Sequence, residues 1–71
     1  MILKDFLVNR YKFLPSVKGV KFYGKKPGTF RVVTKVFGLG TEIYYKDHNN
    51  REGGCLAGTF IRWVDKIRDV E

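Results

Sequence analysis

The sequence predicts a mainly β domain with one or two short helices, a β-rich α+β chain built on a small barrel or a curled antiparallel sheet. Three observations predict it. Apolar and polar residues alternate in short runs between positions 17 and 57. Glycine, proline, asparagine and aspartate cluster between those runs, as tight turns require. A length of 71 residues leaves room for a single domain, 1–71, and for little more than one small core.

Residues 1–13 form an N-terminal segment, helical or extended. Leu3, Phe6, Leu7, Arg10 and Tyr11 follow the i, i+3, i+4 spacing of one helical face, which favours a short helix. Pro15 ends that segment and biases Leu14 toward extended backbone. From Val17 the period becomes two. Val20 and Phe22 face one way, Lys21 and Tyr23 the other, and 24–28 is a turn by composition. In 29–37 the more apolar face is Phe30, Val32, Thr34 and Val36, expected inward, with Arg31, Val33, Lys35 and Phe37 outward.

Gly38-Leu39-Gly40 makes the next turn, and a strand over 41–46 sets Ile43 and Tyr45 against Glu42, Tyr44 and Lys46. After a turn at 47–50, a weaker strand over 51–56 carries Gly53-Gly54, a candidate bulge. Thr59 is placed to cap a short C-terminal helix over 59–68, with Phe60, Val64 and Ile67 on one face and Trp63 beside them. Residues 65–71 fit either an extension of that helix or a last strand. Tightly turned short strands of this kind close most simply as an SH3-like barrel with a helical turn near its end, since closure removes unpaired edges. A three-stranded sheet packed on one or two helices is the alternative.

Charge is the most informative total. The formal net charge is +7, from fourteen Lys and Arg against seven Asp and Glu. Between Phe6 and Thr41 stand eight bases and no acid, while six of the seven acids lie from Glu42 onward. Such a field attracts polyanions. The start of the chain lacks the features of a secretory leader and no apolar run approaches a membrane span, so a cytoplasmic protein without membrane contact is expected. Cys55 is the single cysteine, which excludes an internal disulfide, and with His48 it falls short of a structural zinc site. No cofactor is expected, since no phosphate-cradling glycine motif is present.

Catalysis is poorly provided for. A Cys55–His48–Asn49 or Asn50 system would need a turn and the adjacent strand to converge on one pocket. Asp65 and Asp69, flanked by Lys66 and Arg68, read as a solvated face. The chain is therefore expected to bind and not to catalyse. The constellation that carries chemistry is Lys21, Tyr23, Lys25, Lys26, Arg31, Lys35, Tyr44 and Lys46, expected to form one patch across adjacent strands. Lysine and arginine neutralise phosphates, and tyrosine faces stack on unpaired bases. Phe37 and Tyr44 are outward aromatics that could anchor a protein partner or be covered by the N-terminal helix, with cover favoured for Phe37.

The stretch Val20-Lys21-Phe22-Tyr23-Gly24-Lys25-Lys26-Pro27-Gly28-Thr29-Phe30-Arg31-Val32-Val33 resembles the strand, basic glycine turn and strand that open KOW- and Tudor-type SH3-like barrels. The whole chain resembles small basic proteins encoded by bacteriophages, in which a similar barrel ends in a Thr-Phe-x-x-Trp-like segment, here Thr59-Phe60-Ile61-Arg62-Trp63. The resemblance implies a barrel that binds nucleic acid or a nucleic-acid-associated protein. A phage origin would instead imply a short inhibitor, in the host cytoplasm, that docks on a host or defence enzyme. The partner expected first is therefore DNA or RNA, and second an acidic protein surface. A homodimer through a sheet edge is a further expectation.

Overall fold

The computed structural model describes residues 3–65. A 3₁₀ turn at Leu3–Phe6 leads into a small hairpin of strands β1 (Leu7–Asn9) and β2 (Lys12–Phe13), and a second 3₁₀ turn follows at Pro15–Val17. Four antiparallel strands come next: β3 (Lys21–Tyr23), β4 (Phe30–Phe37), β5 (Glu42–Asp47) and β6 (Glu52–Leu56). The helix α1 (Ala57–Trp63) closes the described chain. The fold is thus mainly β, with two antiparallel sheets, β1-β2 and β3-β4-β5-β6, and one short helix. Among the described residues the larger sheet is an open meander and not a closed barrel.

The core lies between the larger sheet, α1 and the N-terminal hairpin. Phe22 from β3, Ile43 from β5, Phe13 from β2 and Phe60 from α1 are each buried to within 1% of full exclusion. Phe60 meets Phe22 edge-on at 5.5 Å between ring centroids and Phe13 at 5.7 Å. Edge-to-face packing sets the positive rim of one ring against the negative face of the next, adding to the hydrophobic gain. In β3 and β5 the alternation places Phe22, Ile43 and Tyr45 inward as expected.

Elsewhere the structure corrects the sequence reading. The N-terminal segment forms no α-helix. Leu3 and Phe6 reach the core from a 3₁₀ turn, and the Asn9 side chain accepts the Tyr11 N–H at 2.8 Å, turning the chain into a hairpin. The bulge is in β4 and not at Gly53-Gly54. Val33 pairs with Tyr45 but Lys35 pairs with Tyr44, so Thr34 is the extra residue. This reverses the expected faces of β4 before the bulge: Val33 is buried, while Phe30 and Val32 stand on the outer face with their β3 partners Tyr23 and Lys21. After the bulge Val36 faces inward opposite Ile43, as expected. Gly53 and Gly54 have another purpose, for a Cβ on either would come within 2.8 Å of the Tyr45 or Tyr44 ring lying across it.

The helix begins at Ala57, before Thr59, with Leu56 at its N-cap and no side-chain cap. The Thr59 hydroxyl instead accepts a long bond from Arg62 at 3.4 Å. Helix ends at Trp63. Val64 turns extended (φ −64°, ψ 137°) and bridges Gly24, and the Asp65 N–H donates to the Tyr23 carbonyl at 2.9 Å. The expected continuation over 64–65 is therefore extended and not helical, and the remainder of the 59–68 helix, with Ile67, lies outside the described residues.

Because Phe60 joins β2, β3 and α1, Phe60→Ala should cost about 3–5 kcal/mol, a large part of the roughly 4–10 kcal/mol available to a domain of this size. Thermal unfolding should show a midpoint lowered by roughly 12 °C or more, or no cooperative transition. A wild-type midpoint would contradict this account of the core.

Candidate nucleic-acid interface

Strand register fixes which side chains share the outer face of the larger sheet. Lys21, Val32, Lys46 and Glu52 form one cross-strand row, because Lys21 pairs with Val32, Val32 with Lys46 and Lys46 with Glu52. Lys35, Tyr44 and Gly54 form the next, and Phe37, Glu42 and Leu56 the third. At the other end Tyr23 and Phe30 pair, and the His48 ring stands 6.1 Å from Phe30. Neighbouring strands are about 4.8 Å apart, so these rows make one continuous surface.

Of the eight residues singled out in the sequence, five lie on this face: Lys21, Tyr23, Lys35, Tyr44 and Lys46. Lys21 carries its ammonium 4.1 Å above the Phe30 ring centroid and 5.5 Å from Tyr23. Lys25 and Lys26 sit exposed on the β3–β4 turn, beside Thr29 and Trp63, and extend the basic surface past the end of the sheet. Tyr44 is 40% exposed, and an open groove of about 320 Å³ runs beside it between Thr34, Lys35, Glu52 and Gly54. The bulge makes that groove, because two β4 residues face one on β5.

Arg31 is the exception. It pairs with Phe22 and so faces the core side, where its guanidinium lies 4.1 Å from the Trp63 ring centroid and 4.3 Å from that of Tyr45, with Phe60 at 5.8 Å. A planar, weakly hydrated cation between aromatic faces is favourable packing, which is how a basic residue occupies the inner side of a small sheet. Arg31 is thus a packing residue and does not join the outer patch.

Phe30, expected inward, belongs to this surface, and so does Phe37, expected outward but covered. Phe37 is 51% exposed and meets Tyr44 edge-on at 5.4 Å; the N-terminal segment does not cover it. The bulge set the face of Phe30, and no pattern in 29–37 announces it; Phe37 faces outward as expected and stays uncovered because residues 3–13 form a 3₁₀ turn and a hairpin, not a helix over it. Glu42 and Glu52 also stand on the outer face, on β5 and β6, so positive charge is concentrated on β3, its turn and β4.

Cys55 and His48 are not brought together. Cys55 lies opposite Ile43, near the far end of β5 from the turn that holds His48, roughly 13 Å along the strand. Burial pushes the Cys55 thiol up from its ordinary value, against the opposing pull of Arg31. The Asp47 carboxylate closes the β5–β6 turn by accepting the Asn49 N–H at 2.9 Å and the Arg51 N–H at 3.0 Å, and the Arg51 bond chiefly holds it below the usual carboxylate range.

Opposite roles for Arg31 and Lys35 predict opposite sensitivities. Arg31→Met should lower stability by about 1 kcal/mol through the lost cation–π contacts. Lys35→Met, at an exposed position, should stay within about 0.5 kcal/mol of the parent. Denaturant unfolding of the two variants checks this; equal losses would contradict the assignment.

Comparison with known proteins returned no match to a family model, to a curated protein or to a solved structure.

Proposed function

We propose that this protein binds single-stranded nucleic acid, DNA or RNA, across the outer face of its four-stranded sheet. One observation carries the reading: register places Lys21, Lys35 and Lys46 on the same face as Tyr23, Phe30, Phe37 and Tyr44, with Lys25 and Lys26 continuing from its end. Successive outward residues on a strand are about 6.8 Å apart, so aromatic and basic groups alternate along a surface several nucleotides long. Aromatic faces accept any base by stacking, and lysines neutralise phosphates without reading sequence. The groove beside Tyr44 gives an unstacked base a place to enter. Glu42 and Glu52 bound the surface on the β6 side and steer the strand toward β3 and β4. The path of the chain also supports an SH3-like ancestry: a meander of antiparallel strands is followed by a short helix, which returns Val64 to the end of β3.

A second reading, a protein-binding module or inhibitor, is favoured by Leu39. Its side chain is 89% exposed at the tip of the β4–β5 turn, and its backbone is left-handed (φ 57°) between two glycines that also have positive φ. An exposed leucine held in a costly conformation, beside exposed Phe37, is the form of an anchor for a partner's pocket.

Fluorescence anisotropy with short unstructured oligonucleotides separates the two. Engagement of about four lysines predicts that log K falls with log salt at a slope near −3. Lys25→Glu with Lys26→Glu should weaken binding to all sequences alike, and Tyr44→Ala should weaken it roughly tenfold, the loss of one stacked base. No binding at low salt, together with capture of one protein in a complex abolished by Leu39→Ala, would replace the first reading with the second.

A further inference from the structure

The two edges of the larger sheet differ. The β3 edge is met by Val64 and Asp65 through the Gly24 bridge and the bond to the Tyr23 carbonyl. Strand β6 pairs, among the described residues, with β5 alone. The polarity of its free side follows from two bonds that bracket the hairpin. The Asp47 N–H donates to the Arg51 carbonyl at 2.9 Å, and the Ala57 N–H to the Thr41 carbonyl at 2.8 Å. Hydrogen-bonded pairs alternate along an antiparallel ladder, so 45 with 53 and 43 with 55 are also bonded pairs. The N–H and C=O groups of Glu52 and Gly54 and the N–H of Leu56 therefore point away from β5, while the Leu56 carbonyl, at the helix N-cap, accepts the first bond of α1.

From this edge we infer that two copies of the chain pair β6 against β6, antiparallel, about a two-fold axis through Gly54. The free groups are spaced evenly on either side of Gly54, so one edge is the complement of its own two-fold image. Gly54 then faces Gly54, and Glu52 faces Leu56 of the second copy on both sides of the axis. The Gly54 pair exchanges two bonds, each Leu56 N–H donates to the Glu52 carbonyl of the second copy, and Leu56, 63% exposed in the single chain, gains a neighbour.

Three features favour a second copy here. Glu52 is the one charged side chain on β6, which has no proline, no lysine and no bulge to blunt its edge, and its register with β5 is continuous. At the axis Gly54 meets Gly54, a cross-copy pair with no side chains of its own, the space over each glycine being held by the Tyr44 ring of the same chain. Finally, two chains of charge +7 would meet at β6 across an edge of mixed charge, where Lys46 and Arg51 stand beside acids. Glu42 and Glu52 lie on its side, and the β3 lysines are three strand spacings away, about 14 Å, beyond the roughly 8 Å screening length at physiological salt. Pairing would also join the two outer faces into one surface of eight strands.

Sedimentation velocity tests the pairing, and two substitutions at an exposed position test its register. The parent should move from monomer toward dimer as concentration rises from a few μM toward about 1 mM, the range expected of a small interface. Leu56→Lys should tighten the dimer roughly threefold or more, because each new lysine faces Glu52 of the second copy, and Leu56→Glu should weaken it similarly by placing like charges opposite each other. Net charge alone predicts the reverse order, since added lysine raises repulsion between basic chains. Amide exchange at Gly54 and Leu56 should slow with concentration, while Gly53 and Cys55 are protected throughout. A monomer at all concentrations, the reversed charge order, or concentration-independent exchange at Gly54 would each overturn the inference.

Discussion

The packing of Phe60 against Phe22 and Phe13 is the constraint on which the rest of the structure depends. The helix that carries Phe60 is only seven residues long and has no side-chain cap, so it is far too short to be stable alone. It exists because one face is held in the core, and the contact fixes where it starts and stops. A helix ending at Trp63 delivers that ring to Gly24 and to the guanidinium of Arg31, and returns Val64 to the β3 edge. The sheet is thereby covered on one side, and the other side is left open.

Which residues occupy that open side is decided by a single extra residue. The bulge at Thr34 lets β4 bury Val33 before it and pack Val36 against the core after it, two positions of opposite phase in an unbroken strand. As a consequence Arg31 falls on the covered side, where Trp63 and Tyr45 enclose it, and Phe30 and Val32 fall on the open side. The same irregularity opens the groove beside Tyr44. Packing and candidate site are therefore two results of one backbone feature.

Much of this was legible in the residues. Strong alternation located β3 and β5 and set the faces of Phe22, Ile43, Tyr44 and Lys46 correctly. Turn chemistry placed the reversals at 24–28, 38–40 and 47–50. What stayed hidden had physical causes. In 29–37 the two faces are nearly equally apolar, so a guanidinium stacked on aromatics can replace a hydrophobe at little cost, and alternation alone chooses the wrong side. In 3–11 the i, i+3, i+4 spacing serves a 3₁₀ turn and a strand as well as a helix. The glycine pair in β6 read as a bulge because only the folded structure shows the tyrosine rings that need the space.

The central claim is that one face of the sheet, and not the other, receives the nucleic acid. Titrating an isotope-labelled sample with a short single-stranded oligonucleotide, and following backbone and side-chain resonances, tests it most directly. The account predicts shifts at Lys21, Lys35, Phe37, Tyr44 and Lys46, with Val33, Ile43 and Cys55 unmoved. Shifts centred on Arg31, Tyr45 and Trp63, or confined to Leu39 and its neighbours, would contradict it.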